Sequence, residues 1–475
     1  MKKTDGKKRI GKGRMIALGL FAAFAATGLC FTSCTTTTSD GIDPVSGVEG
    51  EPTKMSITIP KVTTYAADPN AKATEVVVKT VDVYVYGGTL EKHVSLAYPA
   101  DFDLVDDNKY VMKNSIEVLS GTKRIYVGIN LPAAAKAVIE GSGGVQGVYS
   151  ATGLALRNAI SDATDGFAMF SVNTAANTTF TIAAGVVDPR TTHENEFTIT
   201  VARLAAKATV RKAPTLSTSP NNTASGATFL TTATGDLTFC MGNVNTKLYP
   251  LQKVTSGIIE DPNYDSNYST YGADFVHDFG TNTSIISAAY ADADDDGTAV
   301  ASRVSKYTVE NTSDVPYLQG LMSYVSIRAK FRPDQIVTAF TPGQTDSLTR
   351  PANTVVQNDL YVYITAGGEY LYFTNAAIGS AWGTATPSAS YLGNYKDGYC
   401  YYLVYLDPKT EYSAPYAAVR NFYYDSRITK FNALGYSNPE PPDPENPLGT
   451  ITLITVDVLI QPWTLVESDT ELGGL

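Results

Sequence analysis

The chain has 475 residues, 43% of them hydrophobic and only 17% charged, with 47 acidic against 36 basic side chains and a formal charge of −11. That balance excludes a disordered chain, a long helical rod and a globally basic nucleic-acid binder. Three His (His93, His193, His277) and four Cys offer little material for a His-rich metal site or a Cys–His nucleophile, so no enzymatic activity, no cofactor and no metal are expected, while 30 Tyr with many Thr and Val favour strands.

Residues 2–14 carry seven bases, and an apolar run of about fifteen residues follows from Met15 to Leu29. The run is shorter than the roughly 20 residues of a spanning helix, so it reads as a secretory signal. It ends in Leu29-Cys30-Phe31-Thr32-Ser33-Cys34, which is similar to a bacterial lipoprotein box. Cys34 fits better than Cys30, because small Ser33 precedes it. That resemblance implies cleavage before Cys34 and acylation there; the alternative is an ordinary cleaved signal with an incidental Cys. Several acyl chains would hold the chain stably on a membrane, which one would not. Removal of 1–33 leaves 46 acids against 29 bases, a charge of −17. Of the remaining cysteines, Cys240 and Cys400 are far apart in sequence, and either two buried thiols or one disulfide is compatible with an exported chain.

A polar tether occupies 34–53. Met55-Ser56-Ile57-Thr58-Ile59 alternates as a short strand stopped by Pro60. Val76 to Tyr86 predicts a strand, and Ser115–Leu119 with Arg124–Asn130 predicts a hairpin through Ser120-Gly121-Thr122. Short helices are expected at 131–140 and 154–161, then strands at 167–172, 178–183 and 196–203. A second strand-rich region starts near Lys207 and includes 208–212, 235–241, 322–331, 359–364 and 399–406, with long polar loops over 250–310. Fifteen of the 30 Tyr fall between Tyr361 and Tyr436, either as half-buried strand residues or as a sugar-stacking surface.

Asp292-Ala293-Asp294-Asp295-Asp296-Gly297 begins like a calcium loop, but Arg303 stands where the Glu of an EF-hand is needed, so a solvated acidic loop is the simpler expectation. His193-Glu194 lacks the second His of a zincin, and no nucleophile elbow is present.

Five prolines between Asn438 and Gly449 predict a stiff spacer of up to ~37 Å at ~3.1 Å per residue. In the β-branched run that follows, Ile454, Val456, Val458 and Ile460 share one strand face; Pro462 breaks it, and Trp463 to Val466 opens a second strand. Burying the four aliphatic side chains would contribute on the order of 6–12 kcal/mol gross.

Taken in order, the lipobox, Lys54 to Pro60, Val81 to Tyr86, Leu119 to Pro132, Val201-Ala202-Arg203, Arg420-Asn421-Phe422-Tyr423, the proline spacer and Pro462 to Val466 resemble the Bacteroidales fimbrillin family, the FimA/Mfa-like major fimbrial subunits. The resemblance implies an all-β fold with minor helices: two transthyretin-like Greek-key β-sandwich domains in tandem. On that division the signal is 1–33, the tether 34–53, the N-terminal domain 54–206 with a removable arm at 54–60, the C-terminal domain 207–437, the spacer 438–449 and the donor-strand region 450–475. It also implies a lipidated outer-membrane precursor that a trypsin-like protease converts into a subunit of a cell-surface fimbrium. The removable arm would then be Met55, Ile57 and Ile59, and the donor strand Ile454, Val456, Val458, Ile460 and Trp463. Partners would be further copies of the chain, in a head-to-tail homopolymer, and anchor or accessory subunits, with no nucleic acid. The family is usually cut at an Arg after the arm; none lies between Cys34 and Arg124, so Lys61 and Lys72 are the candidate processing sites. The alternative functions are a monomeric glycan-binding surface lipoprotein or a fimbrial anchor or accessory subunit.

Overall fold

The computed structural model describes residues 50–60, 71–106, 109–218, 226–281, 284–343, 348–408, 415–448 and 464–472. Cys34, Lys61 and the donor positions Ile454, Val456, Val458, Ile460 and Trp463 lie outside them. All described residues fall within one compact unit, Pro44–Leu475.

The fold is all-β with short helices. In the first half, one sheet orders the strands Glu196–Thr198, Pro52–Pro60, Lys109–Met112 and Phe102–Asp106, with Ile116–Leu119 also on Pro52–Pro60. A second sheet orders Val201–Arg203, Met169–Ser171, Gly121–Ile129, Thr80–Tyr86 and Leu90–Ala97. Their inner faces share one core: Met55, Ile57, Ile59, Met112, Ile116 and Val118 from one sheet meet Val81, Val83, Val85, Ile125, Val127 and Ile129 from the other. This is the period-2 burial of a sandwich.

The expected hairpin is not one. Ile116–Leu119 pairs with Pro52–Pro60, while Gly121–Ile129 pairs with Thr80–Tyr86 in the opposite sheet. Gly121 has φ +113°, a conformation that only glycine adopts cheaply, and it lets the chain switch sheets within two residues. Similarly, the expected strand 196–203 divides into Glu196–Thr198 and Val201–Arg203, one on each sheet.

The second half repeats the plan. Ala205–Ser217 and Phe422–Phe431 pair in parallel at the centre of one sheet, and Tyr324–Pro333 is the hub of another, flanked by Leu237–Gly242 and Tyr399–Tyr405. Phe431 of the first sheet stacks on Phe229 of the second at 4.1 Å. Tyr side chains fill this half: the hydroxyls of Tyr395, Tyr402 and Tyr424 donate to the carbonyls of Gly435, Ala433 and Ala417. Cys240 and Cys400 are both buried free thiols on strands flanking Tyr324–Pro333.

A buried charge cluster joins the halves. Glu75, in the turn that precedes the Thr80–Tyr86 strand, and Lys207 are both fully buried, with Lys207 Nζ 3.0 Å from the carboxylate. Tyr307 Oη donates to the same carboxylate at 2.5 Å, and Arg203 Nε donates to the Glu75 carbonyl at 3.1 Å. Burial pulls the Lys207 ammonium down to about 8, against the opposing pull of Glu75. Two segments distant in sequence meet beside it, where Asn421 N donates to the Ala205 carbonyl at 2.8 Å.

The acidic loop is tied to the body at some of its residues. Asp296 pairs with Arg211 and Arg427, Asp295 lies 3.1 Å from Lys212, and Asp294 accepts from the Val304 amide at 2.7 Å. Asp296 and Asp295 thus have cationic partners, while Asp292 and Asp295 remain exposed, so the loop is solvated in part.

Lys207→Ala would leave the Glu75 carboxylate buried without its cation. A loss of about 3–5 kcal/mol is expected in urea unfolding, and the double change Glu75→Gln with Lys207→Met should cost less than the single one.

Candidate functional site

Sequence reasoning gave the arm as a short strand stopped by Pro60. In the fold it is nine residues long and lies inside a sheet. Ser56, Ile57 and Thr58 run parallel to Glu196, Phe197 and Thr198 on one side. On the other, Pro52 to Met55 run antiparallel to Leu119 to Ile116, and Thr58 to Pro60 to Val111 to Lys109. The first side is extended by Lys54 N donating to the Val186 carbonyl and Ser56 N to the Asn195 carbonyl. Asn195 Nδ2 donates back to the Lys54 carbonyl at 3.0 Å. Met55 and Ile57 are 0% exposed and Ile59 5%.

The consequence is geometric. Withdrawal of Pro52–Pro60 would open a slot whose two walls are rows of main-chain hydrogen-bonding groups and whose floor is the aliphatic core. Only another strand satisfies both walls, because any other filler leaves buried amides and carbonyls unpaired.

The outer face of the same strand is also covered. Lys54, Ser56, Thr58 and Pro60 alternate with the inward residues, and Ser56 and Thr58 are buried. The helical turn Pro189–Thr192 packs over the strand. Between that turn and Lys109–Met112 lies a cavity of about 410 Å³, lined by Lys109, Val111, Lys113, Ser115, Asp188, Arg190, His193 and Glu196, among others. Lys109 and Glu196 form an ion pair across the strand.

Of the candidate processing residues, Lys72 is described. Its main-chain N–H donates to Glu75 Oε2 at 2.7 Å, and its half-buried ammonium is lowered by burial, with Glu75 and Asp294 opposing.

The spacer is not a single extended rod. Asn446 N donates to the Asp443 carbonyl, turning the chain, while Gln319 N and Gly320 N donate to the carbonyls of Asn446 and Pro444. Tyr324 Oη donates to the Pro439 carbonyl at 3.0 Å. The spacer is thus laid on the body as far as Leu448. Residues 464–472 then form a strand beside Phe422–Phe431, parallel to it, with Phe422 opposite Thr464. Sequence reasoning anticipated a strand opening at Trp463 but gave no partner for it; the edge beside Phe422–Phe431 supplies one.

Residues 393–469 match the family described as major fimbrial subunit protein type IV, fimbrillin, C-terminal. In this C-terminal part the chain resembles the fimbrillins. The match runs from within the strand Ser390–Lys396, through Phe422–Phe431 and the docked spacer, to the closing strand. Among curated proteins, the chain is similar to the minor fimbrium subunit Mfa1 of Porphyromonas gingivalis, 27% identical over 202 residues, 35% of this chain and 38% of that one. The chain therefore aligns with well under half the length of this relative. Among solved structures, a candidate cell adhesion protein of Parabacteroides distasonis covers 89% of the chain and 98% of its own at 12% identity and a TM-score of 0.44. The tip fimbrial protein Mfa3 of Porphyromonas gingivalis covers 65% of the chain and 94% of its own at 14% identity and a TM-score of 0.30.

Ile57→Ala would remove a fully buried side chain from the centre of the slot. A loss of about 2–5 kcal/mol in denaturant unfolding is expected, whereas exposed Glu51→Ala, one residue outside the strand, should stay within about 0.5 kcal/mol.

Proposed function

We propose that this chain is the polymerising shaft subunit of a cell-surface fimbrium, a structural protein rather than an enzyme. In this reading it is exported as a lipoprotein acylated on Cys34 and held in the outer membrane as a precursor. A trypsin-like protease cuts between Lys61 and Lys72, the strand Pro52–Pro60 leaves, and residues 450–463 of a second copy take its place. Anchor and accessory subunits complete the fibre, which supports adhesion.

The observation that carries the reading is the seat of Pro52–Pro60: a terminal strand, hydrogen-bonded on both edges and apolar inside, immediately before the loop to be cut. A vacated slot of that kind is filled by strand addition, in which main-chain pairing gives affinity and alternate side chains fill the floor. Ile454, Val456, Val458 and Ile460 repeat the alternation of Met55, Ile57 and Ile59 with one more side chain. Donor and acceptor surfaces differ, so repeated contacts build an open filament rather than a closed dimer. Lys72 is held in its turn through its own amide, which favours Lys61 as the point of cleavage.

The glycan-binding alternative loses its main support. Among the described tyrosines between Tyr361 and Tyr436, only Tyr391 is exposed, at 51%. The others are buried or half-buried in sheets and loops.

The test is native trypsin treatment of the chain lacking 1–34, with mass spectrometry to locate the cut and electron microscopy to look for fibres. Cleavage between 61 and 72 followed by filaments is expected, as is the loss of filaments, with folding retained, on deletion of 450–475. A stable monomer after the cut would exclude the shaft role and leave that of an anchor or accessory subunit.

A further inference from the structure

The cavity over the outer face of Pro52–Pro60 has no use in the reading above, which needs only the walls and floor of the slot. Its lining carries three fixed cations, Lys109, Lys113 and Arg190, against two carboxylates, Asp188 and Glu196, with His193 beside them. Asp188 serves its own turn, accepting from Arg190 N at 3.1 Å and from Thr191 Oγ1 at 2.7 Å. Glu196 is shared between Lys109 and His193, the latter at 3.4 Å. Arg190 is matched by Asp103 at 2.8 Å. Lys113 Nζ, in contrast, is bonded to a carbonyl, Ala100 O, at 2.6 Å rather than to a carboxylate. With Asp103 counted, the three cations and three carboxylates here balance, but Lys113 is held by a carbonyl while Lys109 and Arg190 are held by carboxylates.

The strand now in the slot offers Lys113 no carboxylate. Its outer face presents Ser56 and Thr58 to this region, and its one charge, Lys54, stands opposite Glu117 of the neighbouring strand. Ser56 Oγ is buried without a hydrogen-bond partner. Thr58 is opposite Val111, and Lys113, just past the end of that strand, lines the cavity together with Val111.

The incoming segment has the complementary character. Residues 450–475 hold four acids, Asp457, Glu467, Asp469 and Glu471, and no base. In any register that turns Ile454, Val456, Val458 and Ile460 to the core, alternation turns Asp457 to the outer face. We propose that the cavity between Lys109–Met112 and Pro189–Thr192 is a carboxylate-recognition site for Asp457 of a second copy of this chain. Lys113 and Lys109 bind that carboxylate and so fix the register of the exchanged strand and favour it over the original one. The inference rests on the exchange reading and adds to it a charge that apolar burial does not require.

The probe is a synthetic peptide of residues 450–462, added to the full chain cut within 61–72, with displacement of the original strand and peptide affinity read by fluorescence anisotropy. Unmodified peptide should bind, Asp457→Asn should weaken it about tenfold, and Asp457→Lys should weaken it further. In the protein, exposed Lys113→Glu should weaken the unmodified peptide and restore much of the Asp457→Lys peptide's affinity. Higher salt should narrow these differences. Equal affinity of the unmodified and Asp457→Asn peptides, or no rescue by Lys113→Glu, would overturn the carboxylate site while leaving exchange intact. Failure of the unmodified peptide to displace the strand would remove exchange, and this site with it.

Discussion

A strand bonded on both edges is hard to replace by anything but a strand, and the Pro52–Pro60 strand holds that position here. Its neighbours come from Lys109–Met112, Ile116–Leu119 and Glu196–Thr198, segments far from it in sequence. Its inward side chains, Met55, Ile57 and Ile59, belong to the same core as Val81, Val83 and Val127 of the facing sheet. One short segment thus supplies both the pairing that completes a sheet and part of the apolar contact that holds two sheets together. The slot it fills is a property of the whole sandwich.

The buried charges bear on how that slot could be emptied without collapse. Glu75 lies a few residues beyond 61–70, and Lys207, Tyr307 and Arg203 hold it by its carboxylate and its carbonyl. These contacts fix the chain just after that stretch to the second half of the molecule, independently of Pro52–Pro60. Asp425 does similar work deeper in that half, bound by Arg211, Arg303 and Thr209. Such pairs add modest net stability but penalise any arrangement that breaks them.

Much of the architecture was legible from side-chain period and punctuation. The alternation at Met55 to Ile59 and the short Ala-rich helices fell where expected, because local period and local structure agree there, while the strand expected from Val76 begins only at Thr80, after the helical turn Ala73–Val76. Pairing was less legible. The supposed hairpin at 115–130 is two strands in opposite sheets, a result set by Gly121 and by which core each strand enters. The partners that tie Asp296 and Asp295 to the body, Arg211, Arg427 and Lys212, are remote in sequence and left no local signal. The cavity lined by Lys113 and Arg190 left no sequence signal, since its residues come from a strand, a turn and a second strand that alternation alone cannot bring together.

The sequence by itself determined that the chain is rich in strands, carries an export signal pattern and has a small alternating segment at Met55 to Ile59 and a longer β-branched one at 450–460. Those features depend on period, composition and order, which are local. Only the tertiary structure decided that the first strand lies inside a sheet rather than at an edge, that the proline spacer turns and docks on the body, and that 464–472 pairs with Phe422–Phe431. Main-chain hydrogen bonds carry no side-chain identity, so which strands share them is settled by packing of the cores and not by the strands' own residues.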